Sequence, residues 1–387
     1  MGFEFFINTR IVFGAGTLSR VGVLAKEFGR NVLVVTGRDA NRAEGLCALL
    51  KEQQLGYVTF SVFGEPEIGT VEQAVALAKS RKSELVISIG GGSALDTGKA
   101  IAAMLTNPGT LVEYLEVIGK GKALSNASAP FIAIPTTAGT GSEVTRNAVL
   151  ASAEHRVKVS LRSPLMLPKI ALVDPELTYR LPLSITASTG LDALTQLIEP
   201  FVSTRANPMM DALCREGLSR VARSLRVACN NPHEPSARED MCVASLFGGL
   251  ALTNAGLGAV HGFAGPIGGM FHAPHGAVCA ALLPHVMWIN IKTLREREPG
   301  AKALARYDEI AQVLTGKPAA RMDDGVEWVR ELIAELKIPR LSAYGIRGEH
   351  TDELVEKSRQ ASSMKSNPVT LTANELREVL AEEAKPG

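Results

Sequence analysis

The first 175 residues alternate between short apolar runs and amphipathic stretches. Residues 31–37 form a β-branched run that ends at a glycine, the pattern of a strand buried on both faces of a parallel sheet. The spacing of apolar residues then predicts a helix over 41–54, a strand over 57–63 and a helix over 71–82. A third strand, 85–89, runs into Gly90-Gly91-Gly92-Ser93 and is followed by a helix over 96–105. A further strand, 131–135, runs into the Thr136–Ser142 loop. This β/α alternation implies an α/β domain with a parallel sheet, helices on both faces, and ligands at the carboxyl ends of its strands.

After Pro175 the pattern changes to helical periodicity with almost no β-branched runs, and turns are expected at Asn207-Pro208, Asn230-Asn231-Pro232 and Pro339. The boundary falls near residues 177–181, giving an α/β domain over 1–179 and an all-helical domain over 180–387. No internal repeat or low-complexity segment interrupts either, and residues 382–387 are expected to fray.

Within the helical half, residues 241–291 contain no Asp, Glu, Lys or Arg, yet hold His261, His272, His275 and His285, four of the seven histidines. Gly262, Gly265, Pro266, Gly268, Gly269 and Pro274 break the run too often for one membrane span. It reads as helices buried in a large core and joined by Gly- and Pro-containing turns. Imidazoles placed there must be hydrogen-bonded or metal-bound, because burying an unpaired polar group is costly. A single core histidine is usually satisfied by a backbone carbonyl; several in one uncharged stretch point to a site.

Composition narrows the class. A net charge of +1 without blocks of like charge argues against a nucleic-acid or anionic-membrane surface. No basic n-region followed by an apolar core opens the chain, so a cytoplasmic protein is expected. The five cysteines, Cys47, Cys214, Cys229, Cys242 and Cys279, are odd in number and lack CxxC spacing, which suggests neither a disulfide framework nor a zinc-cysteine site.

Two Gly/Thr/Ser-rich loops at predicted strand ends suit phosphate, because glycines admit close backbone approach and helix N-termini favour anions. The segment from Gly90 to Lys99 imitates a P-loop but fails on spacing: Ser93 stands five residues before Gly98, and Ala100 replaces the hydroxyl residue. Gly14-Ala15-Gly16 lacks the third glycine of a dinucleotide fingerprint. Either loop alone could be a tight turn, but two at successive strand ends imply a pyrophosphate cradle and a nucleotide-type cofactor. Asp192 and Gln196, four residues apart, share one helix face, an ordinary polar face or N-terminal cap unless the histidine run lies beside it.

These motifs resemble the iron-containing (group III) alcohol dehydrogenases. The resemblance is carried by Gly90-Gly91-Gly92-Ser93 with Asp96 and Lys99, by Pro135–Glu143, and by Asp174-Pro175-Glu176-Leu177. It continues through the Asp192 helix, His261 with His275, Pro284-His285-Val286 and Asn367-Pro368, in order along nearly the whole chain. The resemblance implies a dinucleotide-binding domain, an all-helical domain, NAD(P) and a divalent metal in the cleft between them. By motif position, Gly91, Gly92, Ser93 and Asp96 would contact the pyrophosphate and nicotinamide side, Thr136, Thr137, Thr140 and Ser142 would line the cofactor, and Lys158 would reach its ribose. Family members bind metal through an Asp and three His; Asp192, His261 and His275 match three of these positions.

Two departures stand out. Gln196 replaces the His four residues after the Asp, a neutral, harder ligand that should weaken the hold on Fe²⁺ or Zn²⁺. Gly265 replaces a second His near the nicotinamide, a space that His272 could fill. At the end of the second strand, where NAD-preferring members often carry Asp, the chain has Gly37-Arg38-Asp39. A missing carboxylate and Arg38 favour the 2′-phosphate of NADP, unless Asp39 swings in.

The resulting reading is an NAD(P)-dependent alcohol dehydrogenase or aldehyde reductase. Asp192, His261, His275 and His272 are its candidate catalytic residues, and Asp192, Gln196, His261 and His275 its metal ligands. Phe247, Leu252, Phe263 and Phe271 suggest a small, mostly uncharged alcohol or carbonyl as substrate, and a homodimer is the expected assembly. The rival readings are a dehydroquinate-synthase-like lyase and a cofactor-binding protein without hydride transfer.

Overall fold

The computed structural model describes residues 2–383. The chain divides into two compact units, an α/β unit of residues 6–137 and 141–179 and a helical unit that begins at Arg180 and takes in residues 2–5 and Ala138–Thr140.

In the α/β unit, the strands β1 (Arg10–Phe13), β2 (Asn31–Thr36), β3 (Gly56–Ser61), β4 (Leu85–Gly90) and β5 (Phe131–Pro135) are followed by a hairpin, β6 (Asn147–Ser152) and β7 (Val157–Arg162), and by β8 (Ile170–Val173). Between them lie α1 (Val21–Ala25), α2 (Glu44–Glu52), α3 (Ile68–Ser80), α4 (Gly92–Thr106) and α5 (Leu111–Tyr114). Six strands make one parallel sheet in the order β1-β8-β5-β4-β2-β3. The apolar runs are continuous because both faces are covered. Val32 and Val34 enter one core with Leu85 and Ile87, while Leu33 and Val35 enter the other with Val86 and Ala133. Strand order reverses between β2 and β4, so their carboxyl ends, Gly37 and Gly90-Gly91, flank the switch point where an open α/β sheet takes its ligand.

Several boundaries differ from the sequence reading. The 41–54 helix opens as a 3₁₀ turn, Ala40–Ala43, whose first N–H groups include that of Asn41, bonded to Asp39 Oδ1 at 3.2 Å. The helix expected from residue 96 starts at Gly92, with Gly91 at its N-cap and Gly90 ending β4, so the glycine run spans the strand-to-helix junction. β1, β8 and the β6–β7 hairpin were not anticipated: two are four-residue strands, and the hairpin alternates half-buried and buried positions.

The helical unit contains α6 (Leu183–Val202), α7 (Pro208–Asn230), α8 (Pro235–Ala255), α9 (Ala259–Phe271), α10 (His275–Arg297), α11 (Lys302–Thr315), α12 (Met322–Glu335), α13 (Thr351–Gln360) and α14 (Ala373–Ala381). The Asn207-Pro208 turn starts α7 as expected, with Asn207 Oδ1 accepting from Met210 N–H at 3.2 Å and Pro in the first turn. Leu191, Leu194, Leu197, Ile198 and Phe201 make α6 a central core helix, each contributing about 1.5–3 kcal/mol relative to exposure.

The uncharged run folds into the end of α8, all of α9 and most of α10. Its helices are buried as expected, but Gly262 to Gly269, with Pro266, lie inside α9 and not in a turn. Helix α10 is long and apolar enough to cross a membrane, yet its apolar window is 83% buried, as befits a core helix. At the C-terminus, Glu383 does not fray: it is buried, bonded to His285 Nε2 at 3.1 Å and to Leu341 N–H at 3.1 Å. The remainder of the 382–387 segment after this residue lies outside the described residues.

Candidate functional site

In α6, Asp192, Gln196 and Glu199 recur at the spacing of one helix face. All three are buried. Glu199 prepares the next element. Its Oε1 accepts from Val260 N–H at 2.7 Å in the first turn of α9, and its Oε2 lies 2.6 Å from His261 Nδ1. A carboxylate oxygen accepts, so Nδ1 donates to it and the ring presents Nε2 on its far side. That nitrogen points to Asp192 Oδ1 at 3.5 Å. Asn367 Oδ1 takes the Ala259 N–H at 3.1 Å, and Asn367 in turn exchanges hydrogen bonds with Asn290 at 2.7 and 3.2 Å. The approach is so close that a Cβ at Gly258 would lie 2.8 Å from Glu199 Oε1 and 2.9 Å from Asn367 Oδ1.

His275 opens α10, and a Cβ on the next residue, Gly276, would meet Ser188 O at 2.5 Å, so the helix start is pressed against α6. Its Nε2 stands 3.7 Å from Asp192 Oδ1, and the two imidazole centroids are 5.3 Å apart. One turn further along α10, Cys279 Sγ lies 3.6 Å from His275 Nε2 and 3.8 Å from His261 Nε2. One donor atom from each of Asp192, His261, His275 and Cys279 falls within 4.8 Å of every other. Cys279 joins this group although no CxxC spacing marks it in the sequence. The missed signal was the His-x-x-x-Cys spacing of 275 and 279, which places both on one helix face.

Burial opposes ionisation of Asp192, but His275 and His261 outweigh it and hold its carboxyl below the usual range. Burial likewise opposes charging of the two histidines; Cys279 with Glu199 around His261, and Cys279 with Asp192 around His275, raise both above the ordinary imidazole value. Asp192 Oδ1 and Gln196 Oε1 are nevertheless buried without a hydrogen-bond partner. A buried carboxylate oxygen left unpaired beside converging imidazole nitrogens fits a divalent cation, which would supply the missing partner. The side chain of His275 is 37% exposed, so the group is reachable from outside the helical core.

The other predicted residues are distributed differently. His272 is exposed, in a left-handed conformation (φ 52°) at the end of α9. Nothing lies within 4 Å of the Cβ position of Gly265, so His272 does not fill that space. Phe263 is wholly buried, Phe247 and Leu252 are half-buried, and Phe271 packs edge-on against His350.

In the α/β unit, the carboxyl ends of β2, β4 and β5 converge. Thr136 N–H donates to Gly90 O at 2.9 Å, and a Cβ at Gly91 would touch Thr137 at 3.4 Å. Helix α4 begins there with Gly92 and Ser93, and no side chain caps it, which suits a phosphate at its first N–H groups. Gly37 adjoins Gly90 with open space at its own Cβ position, and Arg38 beside it is exposed. Asp39 is engaged with Asn41 N–H and, at 3.7 Å, with Arg42.

Asp96 faces inward: Oδ1 accepts from Ser142 Oγ at 2.6 Å, Oδ2 from Val149 N–H at 2.9 Å, and Lys99 Nζ lies 3.1 Å away. Lys99 also donates to Ser142 O at 3.0 Å and Thr145 Oγ1 at 2.7 Å. Burial lowers its pKa despite Asp96. The neighbouring Glu143 is pushed up by burial to about 7, its own backbone hydrogen bond and Lys99 only partly offsetting this. Thr140 is half-buried in the segment grouped with the helical unit. Lys158 lies on β7 of the separate hairpin, 2.9 Å from Glu65.

The family described as iron-containing alcohol dehydrogenase matches residues 8–175, and the Fe-containing alcohol dehydrogenase family C-terminal domain matches residues 186–384. Alcohol dehydrogenase 4 of Schizosaccharomyces pombe is 35% identical over 381 residues, 97% of this chain and 87% of that protein. A crystal structure of 1,3-propanediol oxidoreductase superposes with a TM-score of 0.91 at 30% identity, covering 99% of this chain and all (100%) of the other. Sulfoacetaldehyde reductase from Bifidobacterium kashiwanohense, solved in complex with NAD⁺, gives 0.88 at 29% identity, with 100% of both chains covered. The chain belongs to the iron-containing alcohol dehydrogenase family. It is accordingly an NAD(P)-dependent oxidoreductase acting on CH–OH groups, and neither the lyase nor the inactive cofactor-binder is favoured.

Proposed function

We propose that this enzyme interconverts a small, mostly uncharged alcohol with its aldehyde or ketone, at a metal site built on Asp192, His261 and His275. The observation that carries the reading is the buried, unpaired Asp192 Oδ1, faced by two imidazole nitrogens at 3.5 and 3.7 Å. A divalent metal held by these residues would supply Lewis-acid polarisation of the substrate oxygen, and a nicotinamide would supply or accept the hydride. The chain's own groups prepare that chemistry. Glu199 fixes the ring and tautomer of His261, and the tight seating of Gly276 sets the position of His275. Half-buried Phe247 and Leu252 and the space beside Gly265 support an apolar substrate body. Relatives named for alcohol and 1,3-propanediol oxidation support the same class.

The cradle residues Gly91, Gly92, Ser93, Thr136 and Thr137 would hold the dinucleotide, with Asp96 and Ser142 bracing the loops behind them. We infer a preference for NADP over NAD. Asp39, the nearest carboxylate in sequence to the strand end, is engaged as a cap, and Arg38 is exposed beside the open Gly37. Arg38→Ala should lower the kcat/KM ratio of NADP to NAD about 10-fold, the worth of one charge-assisted contact. An unchanged ratio would remove Arg38 from cofactor recognition. The reaction class is tested by NAD(P)H-linked turnover of short alcohols and aldehydes, and its absence across a broad panel would contradict it.

A further inference from the structure

We propose that Cys279 is a metal ligand in this chain, making the site Asp-His-His-Cys, and that Gln196 orients Asp192 without ligating. The inference rests on the metal-dependent dehydrogenase reading and extends it to the identity of the fourth ligand and the kind of metal preferred.

The distances support a tetrahedral set. Ligand bonds of about 2.0–2.1 Å to nitrogen or oxygen and about 2.3 Å to sulfur put N and O about 3.3 Å apart, and N and S about 3.6 Å apart. The structure has His261 and His275 at 3.5 and 3.7 Å from Asp192 Oδ1, and Cys279 Sγ at 3.8 and 3.6 Å from the same two Nε2 atoms. Four of the six donor pairs thus stand within a few tenths of an ångström of the spacing one ion imposes, and every pair lies within 4.8 Å.

The surroundings of the sulfur agree. A buried free cysteine ordinarily packs as a small hydrophobe. Cys279 is fully buried, yet its sulfur faces two imidazole nitrogens. Gln196 instead lies one turn along α6 from Asp192 and favours its charged carboxylate, the position of an outer partner that aims a ligand. Its unpaired Oε1 is a neutral oxygen and competes poorly with a thiolate for a borderline-soft ion. A thiolate in place of an imidazole therefore suits the site to zinc.

The test is cobalt substitution of the full-length protein after chelator treatment. Co²⁺ bound by a thiolate shows a sulfur-to-metal charge-transfer band in the near ultraviolet, independent of turnover. The band is expected in the wild type and in Gln196→Ala, and is expected to vanish in Cys279→Ser, with metal affinity lowered at least about 100-fold. Cys279→Ser combined with Gln196→His restores an Asp and three His, and should regain stoichiometric cobalt without the band. Cobalt bound by the wild type with no band would overturn Cys279 as a ligand and leave the metal-site reading standing. A band that survives in Cys279→Ser would overturn it too. Failure of the wild type to bind cobalt at all would overturn both. The wild-type spectrum decides even if a variant does not fold.

Discussion

Asp96 at the start of α4 and Asp192 in the middle of α6 are both shielded carboxylates with cationic neighbours, but their hydrogen bonding differs. Asp96 spends its oxygens on Ser142, Val149 N–H and Lys99. Asp192 keeps Oδ1 unpaired and buried, with His261 and His275 too far for good hydrogen bonds and well placed for a shared ion. A satisfied cluster braces its own fold, whereas an unsatisfied one needs something from outside. The contrast separates scaffold from site although both residues lie in family motifs.

The largest expected effect falls on the unsatisfied cluster. Asp192→Asn should cut kcat/KM by about 10³–10⁴ through loss of the metal, measured by steady-state kinetics with metal analysis. Metal and activity should be lost together; an Asp192→Asn protein that keeps both would reverse the assignment. Lys99→Ala is the mirror experiment. It strands Asp96 and should cost about 3–5 kcal/mol of stability by denaturant titration, while metal content per folded chain stays unchanged.

Glu143 sharpens the contrast through pH. The folded protein holds this proton to about 7, whereas an unfolded glutamate releases it near 4.5. Between those values the unfolded state binds fewer protons, so stability falls as pH rises and the penalty is complete above 7. The loss is at most about 3 kcal/mol, and Glu143→Gln should flatten that part of the stability profile. Smaller again is Glu199→Gln, which leaves the ligands in place but weakens the hold on the His261 ring. Metal affinity should drop about 10–100-fold by competition with a chelating dye.

Much of this was legible in the sequence because the physics is local. Continuous β-branched runs announced the doubly covered sheet, and the uncharged histidine run announced a site in a helical core. The edge strand β1 and its neighbour β8 were too short to show a period, and β6–β7 was hidden by polar flanks, although its alternation over 147–152 was readable. Histidines of one run also proved unlike. His261 and His275 converge, His272 is exposed, and His285 serves to hold Glu383. Only the folded positions of α6, α9 and α10 distinguish them. Glu199 carries no sequence sign of its role beyond lying one turn past Gln196, and Cys279 has no CxxC partner, only a histidine four residues away.

We propose that Asp192, His261 and His275 hold the metal on which the dehydrogenase reaction depends. Metal analysis of protein purified without chelator, paired with NAD(P)H-linked turnover before and after chelation, tests it most directly. About one divalent ion per chain is expected, with activity lost on its removal and recovered on its return. Full turnover by the metal-free protein would contradict it.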